Sequence, residues 1–377
     1  MWRQFLKNNK TNSAVIPVET AQGSSYDVLI KQNSLSSLSD LLSEYAPSHR
    51  YAIISDNTVG KLYGLTMRNK LRSEGLNVDL FTFTQGEENK TRRTWCDLTD
   101  QMLVESFGRD SCVLALGGGV VGDLAGFVAA TYMRGIPVVQ IPTSLVAMID
   151  ASVGGKTGVD VSVGKNLVGT FHPPELVVVD PEVVCTLPVE ECKQGLVEAV
   201  KHGIIMDATY FTHLSEVIPE LLSKDVDQIE DAVLRSVELK AMVVSEDERE
   251  RGKREILNFG HTFGHAIEAA HEYSLSHGVA VGHGMLLEII LGIRLGLTNP
   301  EALGPVKQCL SQLGISFQST LNIDSEKIMR YLRMDKKSKL GGRRFVLISE
   351  IGAVLESTEG WSHTVDERTL TDFWKSL

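Results

Sequence analysis

His261 and His265 stand four residues apart in the segment HTFGH, so on a helix both imidazoles project from one face. Neutral imidazoles placed this way can share a divalent metal. They belong to a cluster, because five of the ten histidines (His261, His265, His271, His277 and His283) fall in one short stretch. A metalloprotease helix is excluded, since that chemistry needs a glutamate directly after the first histidine and Thr262 stands there. Glu198 offers a carboxylate from the otherwise apolar helical run GLVEAVK at 195–201, where an unpaired charge is costly to bury. It is read as either salt-bridged or metal-bound, and the histidine cluster favours metal.

A second group suits phosphates. Gly117-Gly118-Gly119-Val120-Val121-Gly122 follows a strand-like run and opens a helical one, so it satisfies GxGxxG, whose glycines let backbone N–H groups approach a pyrophosphate. Alone the motif is a weak signal, and the ribose-binding acid expected about 20 residues later is missing, because 138–143 holds no carboxylate. Asp56, after an earlier strand, could hold the ribose instead; a plain tight turn is the other reading. Gly154-Gly155-Lys156-Thr157 is not a P-loop, since Asp150 occupies the required first glycine. Lys156, Lys165 and Asn166 in a glycine-rich loop suit a smaller phosphate, or mark a structural turn.

The elements that must position these residues follow from periodicity. Runs at 15–19 and 26–30 flank a Gly-Ser turn and predict a hairpin. Helices at 35–45, 59–73 and 92–105 alternate with strands at 51–55, 78–83 and 113–116, and short strands at 138–141 and 176–179 extend the series, which predicts a mainly parallel sheet covered by helices. After 186–188 the texture turns almost wholly helical, as in 225–244 and 279–297, apart from a strand pair at 345–349 and 353–356. The charge run at 246–255 reads as a solvated helix end.

A chain of 377 residues suits two domains. With 43% hydrophobic and 23% charged residues its composition is globular. A formal charge of -11 argues against nucleic-acid or anionic-membrane partners, so an anionic ligand needs a local basic pocket. No run is apolar enough to span a membrane, 1–20 lacks the apolar core of a secretory signal, and five scattered cysteines without CxxC fit a reducing cytoplasm.

Five segments resemble the 3-dehydroquinate synthases among the sugar-phosphate cyclases: GGGVVGDLAGFVAATYMRG at 117–135, IPTSLVAMIDASVGGKTGV at 141–159, GKNLVG at 164–169, GLVEAVKHG at 195–203 and LNFGHTFGHAIE at 257–268. The similarity spans roughly 50–357. It implies an α/β NAD-binding domain over 1–188 with a mainly parallel sheet, and an all-α metal- and substrate-binding domain over 189–377. The implied metal ligands are Glu198, His261 and His277, holding zinc or cobalt, with His265 beside the substrate rather than on the metal. Asp150, Lys156, Asn166, Lys201, Lys240, Arg254, Asn258 and one or both of Lys336 and Lys337 are implied to contact substrate, while Arg134 would reach a phosphate in the neighbouring subunit of a homodimer. For NAD the resemblance points to Asp56, Glu87, Lys90, Gly118, Gly119, Asp123, Thr143 and Ser144.

The implied reaction turns 3-deoxy-arabino-heptulosonate 7-phosphate into 3-dehydroquinate and phosphate, by transient oxidation, elimination, re-reduction and aldol closure. The chain departs from the family where His-Gly-Glu is frequent, having His277-Gly278-Val279. Another sugar-phosphate cyclase and a metal-dependent alcohol or glycerol dehydrogenase of related architecture are the rival enzymes, and an inactive binding paralogue is the rival outside enzymes. Lys156, Asn166 and Arg254 argue against the dehydrogenase.

Overall fold

A computed structural model describes residues 14–20, 23, 25–272, 274–321, 324–334, 342–358 and 360–377. The chain folds as two compact units, Met1–Pro188 with Lys224–Ser245, and Val189–Ser223 with Glu246–Leu377. The expected cut after residue 188 coincides with one of the breaks. A single cut leaves out the return of 224–245 to the first unit.

In the first unit the strands are β1 (Ala14–Glu19), β2 (Ser25–Ile30), β3 (Arg50–Asp56), β4 (Val78–Phe83), β5 (Ser111–Gly117), β6 (Val138–Pro142), β7 (Lys156–Val161), β8 (Gly164–Phe171) and β9 (Leu176–Val179). Seven of them form one sheet in the order β1-β2-β9-β6-β5-β3-β4. Only the predicted β1–β2 hairpin is antiparallel; the other pairs are parallel. Helices α1 (Leu38–Tyr45), α2 (Leu65–Ser73), α3 (Arg92–Val104) and α4 (Gly119–Thr131) connect the strands. Alternate side chains feed two cores: Ala52, Ile54, Val113 and Ala115 pack into one, while Tyr51, Ile53, Cys112 and Leu114 pack into the other. Burial on both faces is why these strands read as continuous apolar runs.

The connection from β3 runs outward to β4, and that from β5 runs the opposite way to β6, so the strand order reverses between β3 and β5. Open parallel sheets bind ligands outside the carboxyl ends of the strands at such a reversal. Asp56 and Gly117 end the two strands there.

The glycine-rich loop expected at Lys156, Lys165 and Asn166 is instead the antiparallel hairpin β7–β8. Its strands sit close, Gly158 facing Gly169, because a Cβ on Gly169 would lie 2.0 Å from the Thr157 carbonyl oxygen. The returning segment of the first unit is tied in by polar contacts. Gln32 Nε2 donates to Asp227 Oδ1 at 2.8 Å and to Glu230 Oε2 at 2.7 Å, and Lys224 Nζ donates to the Cys185 carbonyl at 3.1 Å.

The second unit is built on α5 (Val189–Met206) and α6 (Ala208–Leu222), while α7 (Val226–Glu246) supplies the segment returned to the first; the second unit resumes with α8 (His261–Ala270) and α9 (His277–Arg294). Phe263, Ile267, Ala280, Leu287 and Leu291 of α8 and α9 share a core with Ile328, Phe345 and Phe373. The expected strand pair at 345–349 and 353–356 resolves into two small ladders. Arg343–Phe345 pairs with His363–Val365, and Ile348–Glu350 with Ala353–Val354. Strands this short carry too few alternations to fix a partner from sequence. All five cysteines are free, and among the described residues no helix is long and apolar enough to cross a membrane.

Candidate active site

Helix α5 carries Glu198 and Lys201 one turn apart, both 1% exposed. Lys201 Nζ lies 2.5 Å from Glu198 Oε2. The other carboxylate oxygen faces two imidazoles, His277 Nε2 at 3.5 Å and His261 Nε2 at 3.9 Å. His261 begins α8 and His277 begins α9, so two helix starts and one buried helix bring together residues far apart in sequence. Glu198, His261 and His277 each offer a ligand atom, all within 4.8 Å of one another.

The hydrogen bonds decide what this cluster can hold. His261 Nδ1 meets the Phe259 carbonyl at 3.1 Å, and a carbonyl only accepts, so Nδ1 carries the proton and the Nε2 lone pair faces the cluster. Burial, with Lys201 adding to it, pushes the His261 pKa well below the ordinary histidine value, keeping it neutral. His277 stands between two carboxylates, with Nδ1 3.3 Å from Glu268 Oε2 and Nε2 toward Glu198. Burial alone would lower its pKa, but the bonds to Glu198 and Glu268 outweigh it and raise it to about 10. The neutral Nε2 of His261, a carboxylate oxygen of Glu198 and the Nε2 of His277, once its proton is displaced, are a donor set that fits a divalent cation. Glu268 then keeps the Nδ1–H of His277 oriented.

His265 lies beside this set. Its ring centroid is 5.4 Å from that of His261 and 6.1 Å from that of His277, and its side chain is exposed. It groups with Glu268 and His277 in a second set of possible ligands, so the i, i+4 histidine pair does not converge on one point with Glu198.

The charge run at 246–255 is only in part the solvated helix end expected: Glu246 ends α7 exposed, as are Arg249 and Arg251, but Glu248 and Arg254 are buried. Asp247 gathers the backbone N–H groups of Arg251, Gly252 and Arg254, folding the run back on itself. This turns Arg254 inward at 2% exposure, where its Nη1 donates to the Glu248 carbonyl, and buries Glu248 as well. Asn258 Nδ2 donates to Glu250 Oε1 at 2.6 Å. Glu250 holds a left-handed backbone (φ 55) that the sequence reading did not single out. Lys336 and Lys337 lie outside the described residues.

In the first unit, Gly118 precedes α4 as its N-cap and Gly119 is its first residue. A Cβ on Gly118 would sit 3.1 Å from Ser144 Oγ, and one on Gly119 3.3 Å from the Ala151 Cβ, so bare backbone lines the start of this helix. Asp56 spends one oxygen, Oδ1, on the amides of Thr58 and Val59. Thr143 is buried after β6 and donates its N–H to the Gly117 carbonyl. Glycine backbone at a helix N-terminus, beside a carboxylate at the strand-order reversal, fits a dinucleotide.

Lys90, 3% exposed, reaches Asp123 Oδ2 at 2.6 Å, Asn166 Oδ1 at 2.5 Å and Glu87 Oε1 at 3.7 Å. Burial draws its pKa down, but Asp123 and Glu87 outweigh this and leave it raised. The structure thus places Asn166, expected among the substrate contacts, with the residues expected to hold NAD. Lys240 pairs with Asp150 through both its carboxylate and its carbonyl. Lys156 is exposed at the start of β7. Arg134 is exposed in a run of three left-handed residues, Met133 (φ 51), Arg134 (φ 72) and Gly135 (φ 113), a backbone that non-glycine residues rarely adopt.

The chain is similar to known proteins in sequence and fold. Residues 80–194 match the family described as 3-dehydroquinate synthase N-terminal, and 195–338 match 3-dehydroquinate synthase C-terminal. A 3-dehydroquinate synthase of Pelobacter propionicus is 43% identical over 87% of this chain and 91% of its own length; that of Crocosphaera subtropica is 39% identical over 96% and 99%. A 2-deoxy-scyllo-inosose synthase complexed with carbaglucose-6-phosphate, NAD+ and Co2+ superposes with a TM-score of 0.88 at 26% identity, covering 96% of this chain and all of that one. A 2-epi-5-epi-valiolone synthase from Streptomyces hygroscopicus with NAD+ and Zn2+ bound gives 0.83 at 29% identity, covering 95% and 98%. An iron-containing alcohol dehydrogenase, at 0.64 and 17% identity over 93% of this chain, shares the fold alone. With both halves matched and curated relatives aligned nearly end to end, the chain belongs to the 3-dehydroquinate synthase family.

Proposed function

We propose that the chain is a phosphate-eliminating carbon–oxygen lyase, converting 3-deoxy-arabino-heptulosonate 7-phosphate to 3-dehydroquinate and phosphate with NAD and a divalent metal as cofactors. The observation that carries this reading is the convergence of Glu198 with neutral His261 Nε2 and with His277 Nε2, within a family of that activity.

Glu198, His261 and His277 would hold zinc or cobalt, which when bound supplies a Lewis acid for a substrate hydroxyl. Asp56, Glu87, Lys90, Gly118, Gly119, Asp123, Thr143 and Ser144 would hold NAD, which accepts a hydride from one carbon and later returns it. The remaining roles fall to side chains. Buried Lys201 keeps a positive charge beside Glu198 and stabilises an oxyanion developing on substrate. His265, exposed beside Glu198, His261 and His277, would move a proton. Arg254, Asn258 and, outside the described residues, Lys336 or Lys337 orient the anionic substrate in the second unit; in the first, Asp150, Lys156, Asn166 and Lys240 do so. Arg134, exposed on its left-handed run, is assigned to a phosphate in the partner subunit of a homodimer.

The test separates this reading from a dehydrogenase of the same fold. With the heptulosonate phosphate and catalytic NAD, phosphate should be released steadily while free NADH does not accumulate, since the hydride is borrowed and returned. An analogue with carbon in place of the ester oxygen should hold NADH bound near enzyme stoichiometry, having no leaving group. Continuous NADH production matching substrate consumption would overturn the lyase and favour the dehydrogenase.

Zinc uptake should also be proton-linked. Without metal His277 is charged below about pH 10, whereas His261 is already neutral, so ligation displaces about one proton, from His277 alone. Zinc affinity should therefore rise about tenfold per pH unit between pH 6.5 and 8.5. Calorimetry in buffers of different ionisation enthalpy measures the proton count; zero protons at pH 7 would show that His277 is neutral before the metal binds, against its raised pKa.

A further inference from the structure

Glu288 is a fully buried carboxylate that the reaction does not call for. It lies on α9 at 0% exposure, eleven residues after His277, which is about three turns at 3.6 residues each, so both side chains share one face of the helix. Both reach α8, at opposite ends. His277 Nδ1 meets Glu268 near the end of α8, and Glu288 Oε2 accepts the Gly260 N–H at 2.8 Å at its start. Burial pushes the Glu288 carboxyl well above its ordinary pKa, and the amides of Gly260, Phe263 and Thr262, pointing at it, pull the other way.

The start of α8 needs this group because it cannot cap itself. The first turn of any helix leaves backbone N–H groups without partners, usually met by a Ser, Thr, Asp or Asn side chain at the N-cap. Here the N-cap is Gly260, at φ 80, and it makes no side-chain cap. A Cβ there would fall 2.5 Å from Met285 Cγ and 2.9 Å from the Val281 carbonyl oxygen; one on Gly284 would fall 1.9 Å from the Gly260 carbonyl oxygen. The two helices therefore touch backbone to backbone, and the acceptor that α8 lacks comes from the helix it touches. His261 is the residue directly after Gly260.

We infer that Glu288 is a positioning residue: by capping the first turn of α8 from α9 it fixes the direction of His261 relative to His277. The inference rests on the proposed metal set and touches neither metal nor substrate. Relocating a buried helix start by even a fraction of an ångström would move His261 Nε2 off the point it shares with Glu198 and His277, and supporting partners of metal ligands typically change affinity roughly 10- to 100-fold when removed.

The test compares Glu288→Leu, which keeps bulk and deletes both acceptors, with Glu288→Gln, which keeps one. Zinc affinity is measured by competition with a chromophoric chelator, folding by circular dichroism, and hydrogen exchange of the peptide spanning Gly260 to Phe263 in metal-free protein by mass spectrometry. The leucine variant should exchange faster at those amides and bind zinc roughly 10- to 100-fold more weakly, with the glutamine variant between it and the parent. A folded leucine variant with zinc affinity within about twofold of the parent overturns the inference; so do leucine and glutamine variants weakened equally, which would indicate packing. If the leucine variant does not fold, the glutamine variant decides alone, parental exchange and affinity counting against the inference. His261→Ala is run alongside. Should it bind zinc like the parent, the metal reading fails, and Glu288 is then judged on exchange alone, where unchanged protection overturns it.

Discussion

Glu198→Gln is expected to yield a folded protein that purifies without zinc and does not turn over. The glutamine keeps the volume and one acceptor for Lys201, yet replaces the anionic oxygen of the ligand set with a weakly donating amide. Glu198→Ala should fare worse. Lys201, buried beside Glu198, would lose the carboxylate 2.5 Å away, and breaking a buried pair costs about 3–5 kcal/mol. Urea unfolding should register that difference between the two variants, and metal analysis should find both empty. His265→Ala supplies the contrast, retaining zinc and losing about 10²- to 10⁴-fold in rate as a general acid–base group would. Full zinc occupancy in Glu198→Gln would remove the glutamate from the site; zinc loss in His265→Ala alone would shift the centre to the set of His265, Glu268 and His277.

Lys90→Met should weaken NAD binding by on the order of 100-fold, equivalent to about 2.7 kcal/mol. The ammonium is the shared partner of Asp123, Asn166 and Glu87, so its loss releases three side chains and takes from largely buried Asp123 its hydrogen-bonded cation, leaving the weaker influence of Lys240. Because the Asp123 side chain keeps 22% of its surface, the stability loss should sit toward the lower end of the range for broken buried pairs, about 3 kcal/mol. Adding Asp123→Asn should recover part of that stability without restoring affinity, since the neutral pair no longer holds the hairpin residue Asn166. Fluorescence titration with NAD and urea unfolding measure the two quantities separately. Parental NAD affinity in Lys90→Met would detach this group of residues from the cofactor.

The sheet was readable because its strands are buried on both faces. The run at 176–179 was placed to the residue, since a fully buried parallel strand leaves an unbroken apolar stretch. The edge strand at 78–83, interrupted by Asp79 and Thr82, was placed by its aromatic and β-branched residues instead. The β7–β8 hairpin left no such trace. Its second strand is only partly buried, with Leu167 facing outward and Val163 exposed in the turn before it, and glycines at 158 and 169 resemble loop composition. Helix spacing put His261 and His265 on one face but could not tell which pointed at Glu198, because that depends on how α5 meets the starts of α8 and α9. The resemblance supplied the choice. Charge alone misled at 246–255, where three amides collected by Asp247 turn an arginine inward, and Glu288 reads in sequence as one more helical glutamate.

The path of the chain also sets a timetable for its own making. The first unit borrows α7 from beyond residue 224, after α5 and α6 of the other unit have been synthesised. Gln32 therefore waits for Asp227 and Glu230, and Asp150 for Lys240. At about 5–20 residues per second, translation needs roughly 10–40 s to span the interval from Gln32 to Asp227. Throughout that interval the first unit is made without the helix that brings Asp227 and Glu230 to Gln32, so its polar ties close only after most of the other unit's first two helices have left the ribosome.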